Sequence, residues 1–273
     1  MKKTLSKKEK EFIKIVWKYY KIHGRRSLPW RRTHNPYHIL VSEIMLQQTQ
    51  IDRVLPKYTL FLKRFPTLKK LSDASLGDVL RVWQGLGYNR RAKMLYACAQ
   101  KIVHNHAGIF PKTHAELVTL PGVGHYTAGA IMAFAYNVGV PLIETNIRTV
   151  IIHHFFNDVH DIHDRECIRY IEHTLDSKNP REWYWALMDY GTFLKKTIGN
   201  QNQRSTHYTK QSSFKNSDRH IRGAIIKQLT IQKVSRVFFH KNLPFTPERI
   251  DAQLERLTEE GMIFVKRNSY TLP

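Results

Sequence analysis

The sequence predicts an all-α core followed by a small module of helices and a hairpin, and three observations lead there. From Ser6 to Glu182 apolar residues recur at helical spacing in short blocks, with little strand alternation and with polar connectors between blocks. Helix-start signals open several blocks, and glycine closes some of them. After Lys196 the composition shifts to a stretch, Gly199 to Asp218, rich in Gln, Asn, Ser, Thr and Lys. The chain therefore divides into a core at 1–198, a basic polar linker at 199–218 and a module at 219–273.

The first helix opens on the capping box Ser6-Lys7-Lys8-Glu9, places Phe12, Val16 and Tyr19 on one stripe, and stops at Gly24. Asn35 followed by Pro36 starts a second, which runs towards Thr49. Further helices are expected at Leu76 to Gln84, Arg90 to His104, Ala115 to Thr119, Tyr126 to Tyr136, Arg148 to Phe156, Arg165 to Leu175 and Arg181 to Leu194. In the module, Arg219 to Leu229 reads as a helix, and Thr246-Pro247 starts another with Ile250, Leu254 and Leu257 on one face and Gly261 as its stop. Met262 to Val265 and Tyr270 to Leu272, joined by Lys266-Arg267-Asn268-Ser269, read as a hairpin. This order resembles a winged helix-turn-helix domain, a type that contacts DNA or protein.

Of the 273 residues, 44 are Lys or Arg and 22 are Asp or Glu, a formal charge of +22, so a polyanion is the expected partner. Between Asp189 and Glu248 the only acid is Asp218, which suits a phosphate backbone, although a solvated linker has the same composition. A hydrophobic content of 42% excludes general disorder. Two cysteines, Cys98 and Cys167, exclude a disulfide framework, a four-cysteine zinc site and a cysteine-ligated iron–sulfur cluster. Met1 to Phe12 is charged throughout and reads as no secretory signal. Ala128 to Ile143 holds Asn137, Gly139 and Pro141, and reads as buried helix rather than a membrane span. A cytoplasmic monomer, nucleoid-associated in a bacterium, with no membrane partner, is the expectation.

Three segments carry chemistry. Leu120-Pro121-Gly122-Val123-Gly124 precedes a helix, where glycines permit a tight turn whose N–H groups approach a phosphate. A plain helix–helix connection is the alternative. Glu43 shares a helical stripe with Ile39 and Leu46, so its carboxyl group can sit in an apolar wall and keep a proton for donation; a solvated surface glutamate is the alternative. In Ile143-Glu144-Thr145-Asn146, Glu144 or Thr145 caps a helix start.

Together these segments resemble the helix-hairpin-helix DNA glycosylase superfamily, and within it the MutY-type adenine glycosylases. The matching stretches are Leu28-Pro29-Trp30-Arg31, Ser42 to Gln50, Trp83-Gln84-Gly85-Leu86-Gly87-Tyr88, Leu120 to Ile131, and Met188-Asp189-Tyr190-Gly191. The resemblance implies a two-lobed all-α core and a reaction on double-stranded DNA carrying a mispaired or damaged base, with neither a metal nor an organic cofactor. Glu43 matches the acid that protonates the departing base. Glu144 stands where the family has an aspartate that stabilises the sugar cation, with Asn146 as its polar neighbour. Tyr126 holds the position of the lysine that cleaves the strand in bifunctional relatives, which implies hydrolysis to an abasic site. By the same resemblance Trp30, Arg31 and Trp185 line the base pocket. Leu46, Gln48 and Tyr88 enter the duplex, and Gly122, Val123, Gly124, His125 and Thr127 hold its backbone.

The chain departs from that pattern in four ways. Glu144 reaches about 1.3 Å further than aspartate. Met188 to Asn200 has no cysteine where most relatives begin a cluster-binding loop. Trp185 stands where adenine-specific relatives carry Gln or Glu, which leaves thymine or uracil opposite guanine as a competing substrate. The tail is too short for the domain that reads 8-oxoguanine in those relatives. A non-catalytic protein that binds mismatched DNA is the reading from another class.

Overall fold

A computed structural model describes residues 4–273. Contacts divide the chain into two compact units. One takes the chain up to Leu40, Lys112–Thr119 and Val123–Lys210; the other takes Val41–Pro111, Leu120–Gly122 and Gln211–Pro273.

In the first unit, α1 (Lys7–His23) begins at Ser6, whose Oγ accepts the Glu9 N–H at 3.2 Å while Glu9 Oε2 accepts the Ser6 N–H at 2.8 Å. Such a cap contributes about 1 kcal/mol. The buried stripe is Glu9, Phe12, Val16 and Tyr20; Tyr19 lies half-buried against Tyr190 and Phe193, one position off the predicted face. α2 (Pro36–Leu46) opens with the Asn35 side chain accepting the Tyr37 N–H at 2.9 Å.

The second unit continues with α3 (Ile51–Arg64), α4 (Leu68–Ser72), α5 (Leu76–Trp83) and α6 (Arg90–Asn105). α3 carries Pro56 inside it and packs Phe61 edge-on to Trp83 at 6.0 Å. In the first unit, α7 (His114–Leu117), α8 (His125–Phe134), α9 (Thr145–Phe155), α10 (Asp164–Thr174) and α11 (Pro180–Thr197) follow, and α11 packs along both α9 and α1.

Residues 199–205 are not the solvated chain their composition suggests. Asn202 and Ser205 are buried, and Asn202 Nδ2 donates to the Thr145 carbonyl at 2.9 Å and to Thr149 Oγ1 at 2.7 Å. Arg148 donates to Asn202 Oδ1 at 3.2 Å and holds Asp164 through two further bonds. This polar network ties the segment to α9.

The module adds α12 (Asp218–Ile231), β1 (Val234–Ser235), α13 (Arg236–Asn242), α14 (Pro247–Glu259), β2 (Phe264–Lys266) and β3 (Ser269–Thr271). The strands pair antiparallel in the order β1-β3-β2, with Val234 and Val265 both opposite Tyr270. The hairpin turns on Arg267 and Asn268, both at positive φ, so it is tighter than the four-residue connection the sequence suggests. The arrangement is winged-helix-like, but the exposed face of α14 presents Glu248, Glu255 and Glu259. Its Arg249 and Arg256 both turn to Asp218.

His154, on α9, packs edge-on to Phe12 at 5.0 Å, and its Nε2 lies 3.1 Å from the Tyr190 hydroxyl. Burial, with His153 and Lys8 nearby, pushes the imidazole down to about 4. The unfolded chain takes up this proton as the pH falls through 6.5, whereas the folded chain refuses it until about 4. The contribution of the neutral ring is intact above 6.5 and lost progressively towards 4. The thermal midpoint is expected to fall across that window, and less steeply in His154→Phe. Equal slopes in the two proteins contradict this assignment.

Candidate active site and nucleic-acid interface

Glu43 lies on α2 between residues that are almost wholly inaccessible, and is itself only 7% exposed. The solvated alternative is thereby excluded. α2 ends at Leu46, three residues before the predicted Thr49, because the chain then turns through Gln48 at φ 53°. Tyr88, on the next loop, has φ 48°. Non-glycine residues rarely adopt this left-handed conformation unless their surroundings hold them there.

Arg91 does the holding. Its Nη1 donates to the carbonyls of Ile44 (2.7 Å), Met45 (2.9 Å) and Gln47 (2.6 Å). Its Nη2 donates to Thr49 Oγ1 (3.0 Å) and to the carbonyls of Leu86 (3.3 Å) and Gly87 (3.2 Å). One guanidinium thus satisfies the open carbonyl end of α2 and fastens it to the Tyr88 loop. Burial lowers Arg91 to about 10, which still leaves it charged at neutral pH. Gly122 belongs to the same unit; at φ 74°, a Cβ there would meet Met94 Cβ at 2.6 Å.

In the other unit, Glu144 caps α9. Its Oε1 accepts the N–H groups of Asn146 and Ile147, each at 2.9 Å; its Oε2 accepts Thr145 Oγ1 and Asn146 Nδ2, each at 3.1 Å. These bonds fix a carboxylate at the positive end of a helix. Gly191 lets α11 approach this turn, since a Cβ there would collide with the Asn146 carbonyl. Two residues earlier, Asp189 accepts two bonds from Arg31, at 2.7 and 2.8 Å, and two from Arg25, from its backbone N–H at 2.8 Å and its Nε at 2.7 Å.

Trp30 and Trp185 are buried. The Arg31 guanidinium lies 5.4 Å from the Trp185 ring, which stacks on Phe134 at 5.7 Å. α8 has no side-chain cap at Gly124, and its N-terminus carries the positive end of the helix dipole. Gly122, Gly124 and His125 are exposed, while Tyr126 and Leu46 are half-buried.

Residues 41–184 match the HhH-GPD superfamily of base excision DNA repair proteins, and this stretch contains Glu43, the glycine turn and Glu144. The chain belongs to that superfamily. It is 37% identical over 184 residues to an adenine DNA glycosylase of Buchnera aphidicola (Baizongia pistaciae), covering 67% of this chain and 52% of that protein. It is 48% identical over 138 residues to one of Mycobacterium tuberculosis (H37Rv), covering 50% and 44%. The chain thus spans about half the length of these curated relatives. Its fold is similar to that of a thermostable thymine-DNA glycosylase, with a TM-score of 0.64 and 24% identity over 72% of this chain and 92% of that one. A trapped endonuclease III–DNA intermediate gives a TM-score of 0.54 at 18% identity, over 77% and 92%.

Three of the predicted DNA-facing side chains, Arg31, Thr127 and Val123, are buried. Arg31 was expected to line the base pocket, but its side chain is only 4% exposed and both Nη atoms are spent on Asp189, so its part is to brace α11. Thr127 turns inward and leaves no hydroxyl for a phosphate. Val123 is likewise buried. The residues do not fit a thiolate-ligated cluster: 188–205 offers no cysteine, and Asn202 and Arg148 hold that segment instead. Cys98 and Cys167 are buried in α6 and α10, which pushes both thiols up to about 12.

Sequence reasoning missed Arg91. A signal was present, since a cation in the first turn of a helix opposes the helix dipole and needs a tertiary reason.

Proposed function

We propose that the chain is a monofunctional DNA glycosylase that everts a mispaired base, adenine opposite guanine or 8-oxoguanine, and hydrolyses its glycosidic bond to leave an abasic site. The observation that carries this reading is the burial of Glu43 on an apolar helix inside the stretch matched to the superfamily. Identity to adenine DNA glycosylases supports adenine as the base.

Cleavage of an N-glycosidic bond leaves electron density on the base and positive charge on the sugar. Glu43 supplies a proton to the departing base. Glu144, held as a fixed negative charge, faces the developing cation, and Asn146 keeps its carboxylate in place. Tyr126 offers no amine, so water rather than a side chain completes the reaction. The N-terminus of α8 and the glycine turn before it hold the DNA backbone without reading sequence. Double-stranded DNA is the partner, in the cytoplasm or on a nucleoid, and the chain acts as a monomer without a cofactor.

A second reading, thymine or uracil opposite guanine, draws on Trp185, whose apolar ring gives no bidentate contact to an adenine edge. Duplexes carrying A·G, A·8-oxoguanine, T·G and U·G, incubated with excess protein and then treated with alkali, separate the readings. Adenine release, with strand breaks only after alkali, is expected. Release of pyrimidine alone overturns the adenine assignment. Tight, salt-sensitive binding with every base left attached replaces the enzyme with a mismatch-binding protein.

A further inference from the structure

α1 lies outside residues 41–184, so membership of the superfamily assigns nothing to its outer face. At about 100° per residue, Lys7, Lys10, Lys14, Lys18 and Lys21 fall within an arc of about 80° and run for about 21 Å along the helix. All five are exposed. The buried stripe of Phe12, Val16 and Tyr20 is on the opposite side, where Phe12 meets Trp183 of α11 and His154 and Phe155 of α9. The lysines therefore point away from α11 and from α9, the helix that Glu144 caps.

Among the described residues none of the five forms an ion pair. α1 has two acids. Glu9 is buried and spent on Ser6 and His173, and Glu11 stands at the border of the arc. Lys8, which leaves the arc, lies over the Phe155 ring at 5.7 Å. Along the arc each lysine is three or four residues from the next, so neighbouring charges repel and oppose the helix. A face that served solubility alone gains more from alternating signs at the same spacing, which attract. Aligned charge of one sign fits a ligand that repeats negative charge along a line.

We propose that this lysine arc holds the phosphate backbone of a second DNA segment while the first is seated at Glu144 and the N-terminus of α8. It rests on the glycosylase reading above, which makes duplex DNA the partner. Two features favour a nucleic-acid backbone over a lipid surface or an acidic peptide. The apolar face of α1 is occupied by α9 and α11, so the helix has none to bury in a bilayer. Ile22 is the one exposed apolar side chain on α1, which gives a peptide no pocket for a hydrophobic anchor. A phosphodiester backbone needs neither, since flexible ammonium groups neutralise successive phosphates and read no base. Holding two segments lets the chain pass from one to the other without a free intermediate.

Sedimentation velocity tests this with two short duplexes, one bearing a tetrahydrofuran abasic site opposite guanine and the other fully paired and fluorescently labelled. At low salt one wild-type chain should carry both. Affinity for the labelled duplex, measured with the abasic one already bound, should fall with salt at a log–log slope of about −4 to −5, as five neutralised phosphates require. Lys10→Gln, Lys14→Gln and Lys18→Gln together should weaken the second duplex at least tenfold and reduce that slope by about three, with affinity for the abasic duplex unchanged. Lys10→Arg, Lys14→Arg and Lys18→Arg together should retain it. A wild-type chain that carries one duplex only, or a glutamine variant that keeps the second, overturns the proposal. So does equal weakening of both duplexes, which makes the arc part of a single footprint, or lysine-dependent binding of phosphatidylserine vesicles in place of the second duplex. If the glutamine variant does not fold, the wild-type slope decides: steeper than about −3 supports the arc, and a shallower one overturns it. A second duplex on a chain that releases no base upholds the arc and rejects only the enzymatic reading; base release by a chain that holds one duplex does the reverse.

Discussion

Replacing Glu43 by glutamine is expected to slow single-turnover base release by about 10²- to 10⁴-fold, the usual worth of a positioned general acid, with duplex affinity essentially unchanged. Glutamine matches the shape of the buried side chain and can keep hydrogen bonds, but it has no proton to give. The residue sits on a helix whose neighbours Ile39, Leu40, Ile44 and Met45 are all buried, so the substitution perturbs chemistry rather than surface. Chemical quench with excess protein measures the step directly. Unchanged turnover removes Glu43 from the acid role; lost binding shows that its contribution is to the shape of α2.

Asp189→Asn should destabilise the chain by about 3–5 kcal/mol, because it leaves the buried Arg31 guanidinium without its counter-charge. Burial by itself raises the Asp189 carboxyl, but the bonds and charges of Arg31 and Arg25 outweigh it and hold the group below the ordinary carboxylate range. Its contribution is therefore complete above the ordinary carboxylate value of 3.8 and is lost as the pH falls through the lowered folded value. Arg25 is one-third exposed, and Arg25→Ala should cost under about 1 kcal/mol. Urea unfolding at neutral pH measures both. A loss below about 1 kcal/mol for Asp189→Asn would contradict the bracing role assigned to the Arg31 pair.

What the sequence made legible was local chemistry. Ser6 and Glu9 cap each other across one turn, and Thr246-Pro247 and Gly261 bound α14 where the pattern predicted. α3 escaped notice because Pro56 interrupts its pattern and Gln50 gives no side-chain cap. β1 is two residues long and exists only by pairing with β3, so no local preference announces it.

The site divides in the same way. Glu43 stood out by its apolar neighbours and Glu144 by its place before a helix. Asn202 lies in a polar stretch that reads as solvated chain, yet it is bonded to Thr145 and Thr149 on α9. The six bonds of Arg91 run to residues 4 to 47 positions away. Such roles arise from tertiary structure, and only the dipole-opposing position of Arg91 hinted at one.

In the proposed reaction the fixed carboxylate of Glu144 stabilises positive charge on the sugar while the base departs. The most direct measurement compares affinity for a duplex bearing a cationic pyrrolidine sugar analogue with affinity for the same duplex bearing neutral tetrahydrofuran, in the wild-type chain and in Glu144→Gln. The wild type should prefer the cation by about 10²-fold or more, and the variant should lose the preference. Equal affinity for the two analogues in the wild type would contradict it.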